Sequence, residues 1–100
     1  MATWHNLAER FLTLHPQGKK GTNILKEKYE QVVVVILEIM QQHQEPISFE
    51  KLSELGSKQL EAASFDGKPL WYLVTVKLDL EARGVIERIA KSSPQQLRLK

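Results

Sequence analysis

The sequence predicts a mainly α-helical domain closed by a small β-hairpin, with an extra helix in front. Three observations lead there. Apolar residues recur at helical spacing in separate segments up to about residue 80. Near the end, "VIERI" at 85–89 and "QLRL" at 96–99, joined by "AKSSPQ", alternate apolar and polar, the period of a half-buried strand. A chain of 100 residues with 42% hydrophobic content supplies one core and no second. The expected organisation is an N-terminal helix and basic connection over 1–22, then the main domain over 23–100.

In chain order, Trp4, Leu7, Phe11 and Leu14 are spaced three, four and three apart, which predicts a short amphipathic helix ended by Pro16. "HPQGKKGTN" is a polar connection finishing in Thr22 or Asn23 as a helix cap. Leu25, Tyr29, Val32, Ile36 and Ile39 then share one helical face. The four consecutive valines favour a strand by propensity, but the flanking "LKEKYEQ" and "EIMQQHQ" are good helix formers that keep the period, so a helix is predicted over about 23–42. Pro46 forces the preceding residue out of helical conformation and makes "EPIS" an extended link. Ser48 is placed to cap a second helix starting at Phe49, burying Leu52 and Leu55 and running past Gly56 towards Ala63. "FDGK" is a turn. Pro69 suits the first turn of a third helix, and Gly84 suits the left-handed residue just beyond its end.

Three helices followed by a hairpin resemble a winged helix, or winged helix-turn-helix, over about residues 23–100. "LEARGVIER" at 80–88 is similar to the junction of third helix and wing in such domains. The resemblance makes Leu80 a core residue, Gly84 the helix stop, Val85 and Ile86 the start of the wing, and Arg88 an outward residue near its base. It implies a DNA-binding or transcription-regulatory domain. More narrowly, "PLWY" with "TVKLDLEARG" and the "HPQGKKG" connection resembles a small family of short bacterial proteins of unknown function, which brings no activity with it. The segment between second and third helices, "GSKQLEAASFDGK", is longer than the turn of a compact helix-turn-helix.

The third helix carries two apolar stripes, Leu73, Val76 and Leu80, and Trp71, Val74 and Leu78. One stripe suffices for a helix packed on one core, so this helix is expected to be covered from two directions. On the winged-helix alignment the first stripe faces the core, and Trp71, Tyr72, Val74, Thr75, Leu78 and Asp79 stand where DNA would be met. Base readers need donors and acceptors there, and only Tyr72 and Thr75 qualify. Trp71, Val74 and Leu78 are therefore expected to be an interface, covered by Trp4, Leu7 and Phe11 of the front helix or by a second copy in a homodimer. Lys77 and Glu81 are spaced to form an ion pair.

Charge is uneven, with basic ends and an acidic middle around a net +2. Lys19, Lys20 and Lys68, with Arg88, Lys91 and Arg98 in the wing, are the candidates for gripping phosphate of duplex DNA with weak sequence preference. "GKKGT" lacks the earlier glycine of a phosphate-binding P-loop, its place being taken by Thr13. His5, His15 and His43 have no metal-like spacing, and with no cysteine no thiolate site exists. No serine has an activating context. The expectation is therefore no enzyme, no cofactor, no metal and no small-molecule ligand. No segment reads as a membrane span or a signal peptide, and a cytoplasmic location is expected. The alternative to DNA binding is a protein-interaction or dimerisation module on a winged-helix scaffold that binds no nucleic acid.

Overall fold

A computed structural model describes residues 9–43, 46–91 and 94–100. The order is β1 (Arg10–Leu12), β2 (Asn23–Leu25), α1 (Lys26–Gln42), β3 (Ile47–Ser48), α2 (Phe49–Ala62), α3 (Pro69–Ala82), β4 (Ile86–Arg88) and β5 (Gln96–Leu99). The domain is mixed, mainly helical, with antiparallel strands in two sheets. One is the β1–β2 hairpin, and the other has three strands in the order β3-β5-β4. Among the described residues no helix is long and apolar enough to cross a membrane.

The front helix is the main correction. Trp4 and Leu7 lie outside the described residues, whereas Phe11 sits in a strand with Ile24 opposite it. Burial there follows a period of two: Phe11 and Thr13 turn inward, and Leu12 and Leu14 turn outward. Cross-strand bonds decide the conformation. Thr13 N–H donates to the Thr22 carbonyl and Thr22 N–H to the Thr13 hydroxyl, both at 2.9 Å. Gly21 permits the approach, since a Cβ at that position would stand 1.6 Å from the Thr13 carbonyl oxygen.

Because Thr22 and Asn23 are used by this hairpin, α1 begins at Lys26 rather than 23, and Leu25 precedes it without a side-chain cap. The valine run is helical as expected, with Val32 buried and Val34 exposed. Ser48 caps α2 by accepting from Lys51 N–H at 3.0 Å. The helix continues through Gly56 because α3 packs against that position: an added Cβ would lie 2.9 Å from Leu73 Cδ2. It ends without glycine, Ser64 taking φ +58° while Phe65 N–H donates to the Leu60 carbonyl.

Pro69 opens α3, and Gly84 at φ +76° closes it. Gly84 N–H donates to Glu81 and Val85 N–H to Leu80, the paired bonds that satisfy the last carbonyls of a helix. The "EPIS" link gains a role not visible in its pattern. Ile47 and Ser48 pair with Leu97 and Gln96, adding a third strand beside the hairpin of β4 and β5. The core lies between the three helices and this sheet, with Ile36, Ile39, Leu52, Leu60, Leu73, Val76, Ile86 and Leu97 all but removed from solvent.

Candidate functional site

Helix α3 is the centre of the candidate site, and its faces follow directly from its sequence. Leu73, Val76 and Leu80 are buried in the core as expected. On the opposite side Trp71 is 45% exposed, Leu70 beside it is exposed, and Val74, Thr75 and Leu78 are half-buried. The second apolar stripe therefore looks outward. Leu70, one helical turn before Val74, belongs on the same face and was left out of the stripe.

Asp79 does not stand where a DNA contact would be made; it is completely buried. Its carboxylate accepts from the Leu14 backbone N–H at 2.8 Å, from the Tyr29 hydroxyl at 2.5 Å, and from Arg83 Nε at 2.9 and 3.0 Å. The Tyr29 ring stacks on Phe11, centroids 4.1 Å apart, and the Arg83 guanidinium lies 4.9 Å from the Phe11 centroid. Phe11, expected at an interface with a second copy or on the front helix, is thus consumed in joining the β1–β2 hairpin to α1 and α3. Burial, reinforced by the hydrogen bond to Asp79, holds the Tyr29 hydroxyl protonated well above the usual tyrosine range. The Arg83 pKa is raised by its hydrogen bond to Asp79, against a smaller opposing effect of burial.

On the other flank, Lys77 is only 4% exposed and its Nζ lies 2.8 Å from Glu81 Oε2, the i, i+4 pair expected from the sequence. The same ammonium donates to Gln95 Oε1 at 3.0 Å and stands 5.0 Å from the Phe49 ring centroid. Arg88 reaches Glu81 Oε1 at 3.7 Å. This network binds α3 to the start of α2 and to the connection between β4 and β5. Glu81, Gln95 and Phe49 have no signal of function in the sequence beyond the Lys77–Glu81 spacing.

The expected phosphate contacts divide into two groups. Arg88 is engaged by Glu81, and Arg98 pairs with Glu87 across the sheet. Lys19 and Lys20 are exposed in the β1–β2 connection, Lys68 is exposed at the start of α3, and Lys91 is exposed at φ +62° beyond β4. These four lysines form no ion pair among the described residues. Tyr72 packs edge-on against both Phe65 and Trp71, and Lys28 Nζ lies 5.4 Å from its ring centroid, so its ring serves packing. An open groove of about 460 Å³ between the end of α1 and the sheet is lined by Met40, His43, Ile47 and Leu97 among others. Within it His43 Nδ1 is engaged by the Ile39 carbonyl at 3.0 Å and Arg98 by Glu87.

A family profile described as a family of unknown function, DUF6958, matches residues 10–97. The chain belongs to DUF6958. The match takes in the β1–β2 hairpin together with the three helices and nearly all of the three-stranded sheet, so the DUF6958 region includes both networks that hold α3. No curated protein and no solved structure matches this DUF6958 chain.

Proposed function

We propose that the chain is a winged-helix domain that works through protein contact at the outward face of α3, and that it is neither an enzyme nor a reader of base sequence. The element order supports the scaffold. After α1 come a short strand, two helices and a hairpin, and the short strand pairs with the last strand to give the order β3-β5-β4. Fold by itself does not select the function. The observation that carries the reading is the composition of the outward face: Trp71, Val74, Thr75 and Leu78 face outward while Lys77, Asp79 and Glu81 are turned into the fold. Such a surface offers almost nothing to base edges, and it matches the apolar, aromatic centre of protein interfaces.

The test is a titration with random-sequence duplex DNA at low and moderate salt, comparing wild type with Leu78→Lys. Under this reading the variant loses protein association and gains no DNA affinity. If Leu78→Lys bound DNA roughly tenfold more tightly with unchanged melting, a cation on this face would be meeting phosphate, and the reading would fall. Weak, sequence-independent binding to DNA is the second reading, supported by the exposure of Lys19, Lys20, Lys68 and Lys91. It makes a separate mark on the same titration, a steep loss of affinity with salt that does not depend on Leu78.

A further inference from the structure

Resting on the reading of this face as a protein contact, we infer that its occupant is a second copy of the chain, with the two α3 helices packed antiparallel about a two-fold axis near Val74 and Thr75. A two-fold contact requires a surface that is complementary to itself. Trp71 and Leu78 lie at equal distances on either side of that point, so antiparallel packing sets Trp71 of one copy against Leu78 of the other, leaving Val74 and Thr75 at the centre.

Charge supports the same partner. The outward stripe carries no ionised group, because Lys77, Asp79 and Glu81 are engaged within their own fold. Two copies therefore meet without burying an unpaired charge. The helix ends are complementary as well. The first turn of α3 has no acidic residue and its preceding residue is the exposed Lys68, so this end is positive. Its last turn has no basic residue, and the Arg83 guanidinium just beyond is held by Asp79. Antiparallel packing places the positive end of each helix beside the negative end of its mate, whereas parallel packing places like ends together. Leu70, exposed at the start of α3 one turn before Val74, extends the apolar surface beyond the stripe. A stable interface of about 800 Å² per partner needs such an extension beyond a single stripe.

The chain contains no cysteine, so Val74→Cys introduces its only thiol. Near a two-fold axis two such thiols come within disulfide reach. Mild oxidation of the full-length variant should yield a covalent species of twice 11.5 kDa, while Lys58→Cys, on the exposed side of α2, stays a single chain at the same concentration. Sedimentation equilibrium should give the same doubled mass for wild type, and Leu78→Lys should weaken self-association by roughly 100-fold, as expected for a charge buried without a partner. A single-chain wild type with no Val74→Cys cross-link overturns the assignment. Quenching of Trp71 by acrylamide in a Trp4→Phe background then separates the two levels of failure. A shielded Trp71 in a single chain means that residues before Glu9 cover the face, which removes both the second copy and the contact with another protein, whereas a fully quenched Trp71 with unchanged DNA binding by Leu78→Lys removes the second copy and keeps the face for a different protein. A fully quenched Trp71, together with tighter DNA binding by Leu78→Lys, removes both.

Discussion

The two flanks of α3 use buried charge in different ways. On one, the Asp79 carboxylate is a single acceptor for three residues far apart in sequence, Leu14, Tyr29 and Arg83. On the other, the Lys77 ammonium is a cation shared by Glu81 as ion pair, Gln95 as hydrogen-bond acceptor and the Phe49 ring, and the Glu81 carboxylate has a second cation in Arg88. The first arrangement has no substitute for its central group. The second is redundant. Both turn charge inward, and what α3 leaves outside is therefore apolar; the character of the outward face is a consequence of how the helix is fastened.

The largest effect is expected from Asp79→Ala, which strips the acceptor from a buried hydroxyl, a backbone N–H and a guanidinium at once. A loss of about 3–5 kcal/mol is expected in chemical denaturation, the range for breaking a buried charged network from one side. A loss under about 1 kcal/mol would mean that the hairpin is not fastened through this group.

Lys77→Met tests the other flank and should cost less, about 1–3 kcal/mol, because methionine keeps the packing of the lysine stem and Arg88 remains near Glu81. If this variant proved more damaging than Asp79→Ala, the contrast between an irreplaceable and a redundant centre would be reversed.

The smallest expected effect depends on pH. The Tyr29 hydroxyl has its pKa raised in the folded protein from an ordinary value of 10.0. Folding therefore favours the protonated phenol, whose contribution is fully present below pH 10 and declines as pH rises above it through the folded-state value. Tyr29→Phe should cost about 1–2 kcal/mol at pH 8, where the bond to Asp79 is lost. By pH 11 the gap between wild type and variant should narrow. A gap that stays constant across this range would show that the phenol does not titrate with unfolding, and that Tyr29 contributes through its stacking on Phe11.

Much of the fold was legible because its signals are local. Ser48 caps a residue three positions on, Pro69 and Gly84 mark the two ends of one helix, and Lys77 and Glu81 are one turn apart. The division of α3 into a core stripe and an outward stripe was also legible, since helical spacing fixes which side chains share a face. The readings that failed concern partners that spacing does not encode. Phe11 and Leu14 fit a helix when counted from Trp4 and Leu7, yet pairing with residues 22–25 makes this stretch a hairpin. The sequence alone thus determined three helices, the Ser48 cap of α2, the two ends of α3 and the apolar character of the outward face, all set by interactions within a few residues, whereas the start of α1 moved to Lys26 once Thr22 and Asn23 were taken by the hairpin. Only the tertiary structure decided that Asp79 is buried and that Ile47–Ser48 joins the sheet. The acceptor of the Leu14 N–H lies 65 residues away, and the strand paired with Ile47 is at the other end of the chain. Burying a charge or an edge strand is favourable only when such distant groups arrive to satisfy it.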